Sequence, residues 1–150
     1  MKHLFIFSII LYSFTSQSVH SQNVDYDNWS IACNEAITNI EMTQCFYQQR
    51  EIADSLLMDT YNQIMVILDS GLETAALETD QEMIEWYGEF KTKLVEGQKS
   101  WQEMTNADAS FAANLTKGGS MSNMTIHISV TNSSYDRLKV LKGFFEYLTL

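Results

Sequence analysis

The chain of 150 residues contains no proline and only six glycines. Proline ends or kinks a helix because it lacks the amide donor and clashes with the preceding turn. Because the chain has no proline, no helix is interrupted by one. The chain is 45% hydrophobic and has eight methionines, which favour helices. Because this length is typical of a single domain, we predict one small domain built from long helices.

Apolar residues recur at helical spacing in a first stretch that begins after a capping box. In this box the Thr38 side chain caps the helix and Glu41 reaches back to it. The helix is predicted to run from Asn39 to about Asp69, and Gly71 is predicted to mark its end.

A second helical stretch follows a connection over residues 70–78, which is either a loop or partly helical. A second capping box, Thr79-Asp80-Gln81-Glu82, is predicted to open this helix, which continues to Leu115. Gly97 and Asn106 are candidate break points within it.

The last segment has a mixed pattern. Gly118, Gly119 and Ser120 separate it from the second helix. Residues 125–131 alternate between polar and apolar side chains as a strand does, but a single strand has no partner here and would not be stable. We therefore predict a helix from about Ser122. The fold class is all-α, a small antiparallel bundle of about three long helices.

Residues 1–21 have the order of a secretory signal peptide. Lys2 precedes an apolar run over residues 4–12, and small residues precede a predicted cleavage after Ser21. The alternative is a buried strand or a membrane anchor, but the run is shorter than the roughly 20 residues that span a bilayer. The mature domain is predicted to comprise residues 22–150, in the periplasm or secreted, without a stable membrane anchor.

Cys33 and Cys45 are the only cysteines of the chain. After export, an even pair indicates a disulfide, and one is predicted between them. A single straight helix would separate them by about 18 Å, so the chain must turn between them. No metal site and no cofactor are predicted, because His127 is the only histidine of the mature chain and a zinc site needs more ligands.

No arrangement typical of catalysis is found, and the chain is predicted not to be an enzyme. His127 lies in an apolar stretch and is interpreted as a packed or surface side chain rather than a general base. Glu82, Glu85 and Glu89 share one helix face, but a helix surface does not provide the cleft that a raised carboxyl pKa needs.

The charge of the chain is strongly negative, with a formal value of −10 that becomes −11 when Lys2 is removed. Nucleic acid is therefore excluded as a partner, since phosphate binding needs clustered Lys and Arg. Residues 51–89 contain ten acidic residues and no Lys or Arg. This stretch is either a solvated surface or a contact for a basic protein. The candidate contact residues are Glu73, Glu78, Asp80, Glu82, Glu85 and Glu89.

Through the pattern that several of these residues form, the chain resembles the LprI-like lysozyme-inhibitor family of exported bacterial proteins. The resemblance covers about residues 33–148 and depends on the order and spacing of short motifs. These motifs are Cys33, Thr38, Glu41-Met42 and Cys45, then Ala53-Asp54, Leu57 and Tyr61, then Leu94, Gln98 and Trp101, then Gly118-Gly119-Ser120, and finally Arg137 and Leu141. A second cysteine pair that is usual in the family, expected near Ala109 and Ser129, is absent here.

The motif residues are interpreted as structural. Tyr61, Trp101 and Leu57 lie on apolar stripes, Gln98 is expected to form a buried hydrogen bond, and Arg137 is expected to pair with a carboxylate such as Asp54. Gly118 and Gly119 are the other two motif residues that are interpreted as structural.

The resemblance implies an exported, non-catalytic protein and, for at least one branch of the family, inhibition of lysozyme. The acidic stretch suits binding to a cationic lysozyme-type cell-wall hydrolase by charge complementarity. The alternative is an envelope-assembly or immunity-type protein with one specific partner and no role against lysozyme. The sequence does not determine the oligomeric state.

Overall fold

The computed structural model describes residues 28–117, 119 and 121–150. A short 3₁₀ helix, Trp29–Cys33, precedes three α-helices: α1 (Asn39–Glu78), α2 (Gln81–Leu115) and α3 (Ser122–Thr149). These ranges contain no strand, and residues 125–131 are helical. The predicted all-α bundle of three long helices is confirmed. The predicted signal peptide, residues 1–21, lies outside the described residues.

Helix α1 is longer than predicted. It continues to Glu78, so the predicted end near Asp69 is wrong and residues 70–78 are its last turns. Gly71 lies inside the helix, where Tyr87 of α2 packs against it. A Cβ atom at Gly71 would lie 2.4 Å from the Tyr87 ring. The glycine therefore permits a close approach of two helices and does not end the first one.

The turn between α1 and α2 is one residue out of register with the predicted capping box. Thr79 adopts a left-handed conformation, with φ of 56°, and ends α1. The N-cap of α2 is Asp80, whose side chain accepts a hydrogen bond of 3.1 Å from the amide of Met83. Helix α2 continues through Gly97 and Asn106, so neither residue breaks it.

The core lies between the three helices and is filled mainly by aliphatic side chains. The most deeply buried members are Leu57, Ile64, Leu68, Leu94, Tyr135, Leu138 and Leu141, each at most 4% exposed. Leu57 is thus a core residue, as expected from its stripe. Burial of this apolar surface provides the main stabilisation of such a bundle.

Helices α1 and α3 are parallel and are offset by 80 positions. Ser134 contacts Asp54, and His127 contacts Tyr47, at this separation. On the same offset Thr149, the last residue of α3, is level with Asp69. The last nine residues of α1 therefore extend about 13 Å beyond α3. We call residues 70–89, which comprise the last turns of α1, the turn and the first turns of α2, the hairpin tip.

The disulfide between Cys33 and Cys45 is present, with the two Cα atoms 5.7 Å apart. The Thr38–Glu41 capping box also forms, as predicted, between the two cysteines. The bond links the 3₁₀ helix to α1. Trp29 of that short helix is only 8% exposed, and its Nε1 donates to Asn132 of α3 over 2.9 Å. The disulfide therefore holds a tryptophan over the core.

Candidate functional site

Two polar contacts join α3 to its neighbours through motif residues. Ser134 donates to a carboxylate oxygen of Asp54 over 2.7 Å, and Arg50 contacts the other oxygen at 3.4 Å. Arg137 donates from Nε to the side-chain oxygen of Gln98 over 3.0 Å. The expected pairing of Arg137 with Asp54 is therefore wrong, because each side chain has a different partner. Partial burial lowers the pKa of Arg137.

A third polar contact joins α2 to α3. Trp101 donates from Nε1 to the Ser133 hydroxyl over 2.9 Å, and that hydroxyl also bonds to the buried Thr105. This cluster lies one turn from Ala109 and Ser129, where the absent second disulfide was expected. Thr105 and Ser133 were not singled out in the sequence. Small polar residues within apolar stripes are the signal that identifies such buried contacts.

The other motif residues have simpler surroundings. Tyr61 is half-buried and packs against the core. Gly119 is exposed, and its amide donates to the carbonyl of Thr116 over 2.9 Å. Gly118 lies outside the described residues. None of these contacts presents a motif side chain as an obvious ligand, and we propose that Asp54, Leu57, Tyr61, Gln98, Trp101 and Arg137 act by holding the helices together.

All six candidate acidic contact residues are exposed, and all lie on the hairpin tip. They are Glu73, Glu78, Asp80, Glu82, Glu85 and Glu89. No Lys or Arg occurs between Ser70 and Phe90. The nearest basic side chain, Lys91, is paired with Asp69. The hairpin tip therefore concentrates negative charge at one projecting end of the bundle.

The structure divides these six residues between three surfaces. Glu78 and Asp80 line a groove of about 530 Å³ between α1 and α2. Glu82, Glu85 and Glu89 follow one another at spacings of three and four residues, so they share one face of α2. Of these three residues only Glu89 lines a groove, the one between α2 and α3. Glu73 lines neither groove.

A second groove, which the sequence reasoning did not identify, lies between α2 and α3. It has a volume of about 470 Å³, and its walls include Trp86, Phe90 and Phe144. We call it the aromatic groove. Its centroid distances are 5.5 Å for Trp86–Phe90 and 5.8 Å for Phe90–Phe144. Trp86 lies beside the apolar stripe of α2 rather than on it. A tryptophan in this position, among acidic residues, is the sequence feature that could have indicated the groove.

His127 packs edge-on against Tyr47, with ring centroids 5.4 Å apart. Its Nδ1 has no hydrogen-bond partner among the described residues. Burial lowers the pKa of His127, and the nearby positive charge of Arg50 adds to this effect. The side chain is therefore a packed histidine whose surroundings favour the neutral form.

Two kinds of feature are absent from the described residues. They contain no group of three or more His, Cys, Asp or Glu side chains that could hold a metal ion. None of their helices combines the length and the apolar character needed to cross a membrane.

The fold and the surface define a class: a small helical bundle with one disulfide and an acidic hairpin that projects from one end. A protein-family model described as lysozyme inhibitor LprI matches residues 32–141. This match covers most of the chain, and the chain belongs to the LprI lysozyme inhibitor family. Comparison with curated proteins found no match, and comparison with solved structures found none either.

Proposed function

We propose that this protein is an exported, non-catalytic inhibitor that binds a basic lysozyme through the hairpin tip. Membership of the LprI family supports a lysozyme as the partner. The observation that carries the proposal is the placement of all six acidic candidates on one projecting end. A lysozyme that degrades the cell wall acts where a periplasmic or secreted protein would meet it.

The charge of the hairpin tip remains available to a partner. Within the described part of the chain, only the carboxylates of Asp80 and Glu85 among the six accept a hydrogen bond, from the Met83 amide and from Gln81. The other carboxylates are exposed, and of these Glu89 lies near a basic side chain, Lys93, whose pKa its charge helps to raise. Such a surface attracts a positively charged protein over a distance and accelerates association.

The extension of the hairpin tip beyond α3 suggests how binding inhibits the enzyme. The two helices project about 13 Å past the end of the third. A narrow projection contacts a partner without a clash from the rest of the bundle. Bound to a lysozyme near its catalytic cleft, it would exclude the polymeric wall substrate.

The experiment is turnover of cell-wall substrate by a basic c-type lysozyme in the presence of the purified, oxidised mature protein. Inhibition at equimolar ratio that persists at moderate salt is the expected result, because nonspecific charge pairing is screened there. Reversal of Glu82, Glu85 and Glu89 to lysine is expected to slow association by at least about tenfold.

The matched control reverses Glu51, Glu103 and Asp108, which are exposed acidic residues outside the hairpin tip. Both triple variants have the same net charge, so a difference between them reports position and not total charge. Equal inhibition by the two variants would refute the hairpin tip as the contact. No inhibition of lysozyme by the unmodified protein would refute the proposed function and favour a specific envelope or effector partner.

A further inference from the structure

We propose that the aromatic groove between α2 and α3 is the apolar centre of the interface with the cationic partner. It would receive an apolar side chain of that partner, while the acidic residues beside it contact basic side chains around it. This inference rests on the proposed function, because it assigns the same partner to a second surface, which adjoins the hairpin tip.

The walls of the aromatic groove are partly exposed although they are large and apolar. Trp86 is 37% exposed and Phe144 is 38% exposed, whereas Leu94 at the same groove is 4% exposed. The rings contact one another at Phe90, which fixes their positions. Ligand sites are usually concave and preformed. Tryptophan is one of the residues that most often dominate the binding energy of a protein interface.

The charge beside the groove specifies the occupant. Glu82, Trp86 and Glu89 are separated by four and three residues, so the tryptophan lies between two carboxylates on one helix face. Glu89 itself lines the groove. An apolar centre surrounded by charged groups is the usual organisation of a protein interface. Because the charge at the hairpin-tip end of the groove is negative, that end complements basic side chains of a cationic protein, whereas Lys93 and Arg137 line the other end.

The opposite end of the groove has a different character. Lys93 lines it but is paired with Glu96, whereas Arg137 has no carboxylate partner within the described part of the chain. An Arg137 Nη atom lies 3.5 Å from the point where a Cβ at Gly97 would stand. With no side chain at Gly97, the guanidinium faces the groove. Its unused donors suit a backbone carbonyl of the inserted segment and would fix the orientation of that segment.

The test fills the groove without a change of charge. In Gly97→Leu, the new Cβ makes only an ordinary contact, and the rest of the side chain occupies the groove. The matched control is Gly143→Leu, since Gly143 also lies within a helix and has no neighbour within 4 Å. The probe is an immobilised basic c-type lysozyme, and association and dissociation rates are measured separately.

We expect Gly97→Leu to raise the dissociation rate about tenfold or more with little change in the association rate, because loss of packing acts on dissociation. Gly143→Leu should stay within about twofold of the unmodified protein in both rates. Trp86→Ala provides a second variant, with the same expected effect, in case the leucine at position 97 disturbs folding. Far-UV circular dichroism verifies the helix content of each variant.

The outcomes separate this inference from the proposed function. Dissociation rates of Gly97→Leu and Trp86→Ala within about twofold of the unmodified protein would overturn the groove as the centre of the interface. The acidic contact would still stand in that case if reversal of Glu82, Glu85 and Glu89 slowed association. Absence of any binding by the unmodified protein would overturn both proposals.

Discussion

Replacement of Gly71 by alanine and the same replacement at Gly88 should have opposite effects on stability. Both glycines lie inside helices of the α1–α2 hairpin. In a helix interior, alanine is more favourable than glycine by about 0.5–1 kcal/mol. A Cβ at Gly88 meets nothing within 4 Å, so Gly88→Ala should gain this amount. A Cβ at Gly71 would overlap the Tyr87 ring at 2.4 Å.

The cost of that overlap depends on how far Tyr87 can move. Its ring packs against Trp86, with centroids 4.8 Å apart. Displacement of the ring therefore disturbs a neighbouring aromatic contact, and overpacking of this kind costs about 1–3 kcal/mol. We expect Gly71→Ala to be less stable than Gly88→Ala by the same amount, because the gain in helix propensity cancels in the comparison.

The assay is reversible urea unfolding of the oxidised mature protein, followed by circular dichroism at a helix band. A double-mutant cycle with Tyr87→Ala isolates the contact. Without the ring, Gly71→Ala should become stabilising by about 0.5–1 kcal/mol, as at Gly88. Equal stability of Gly71→Ala and Gly88→Ala in the presence of Tyr87 would refute the close approach of the two helices.

Two further predictions concern the base of the bundle. Replacement of both Cys33 and Cys45 by serine should lower the free energy of unfolding by about 3 kcal/mol. The reason is that a crosslink between cysteines 12 positions apart no longer restricts the entropy of the unfolded chain. A loss below about 1 kcal/mol in urea unfolding would contradict this value. Because burial lowers the pKa of His127, the unfolded chain binds more protons, and stability should fall as the pH decreases through about 6.5. In His127→Gln, the urea midpoint should depend less on pH between about pH 7.5 and 5.5. An unchanged pH dependence of the midpoint would exclude His127 as the cause.

The helices and the disulfide were predictable because their determinants are local. The Thr38–Glu41 capping box involves residues three positions apart, and it forms as the sequence predicts. The absence of proline favours unbroken helices, and α2 continues through Gly97, which the sequence had offered as a candidate break point. The cysteine pair required only a turn between its members, which the same capping box provides.

The errors arose where one residue serves equally well in two roles. Glycine ends helices and also permits close packing, and Gly71 does the second. The polar and apolar alternation over residues 125–131, by contrast, fits a strand as well as a half-buried helix, and the helix predicted there is confirmed. Burial of Val130 and Thr131 against neighbouring helices shows that the surroundings decide between the two.

The candidate site was predictable only as a charge pattern. The sequence by itself determined that the acidic residues cluster along the chain, that the chain is helical and which face of each helix is apolar. Only the tertiary structure decided that the hairpin tip projects beyond α3, that Arg137 bonds to Gln98, and that Trp86 and Phe144 form one groove. Helical periodicity fixes the direction of a side chain around its own axis. It does not fix the axial offset between helices, and that offset determines which side chains meet.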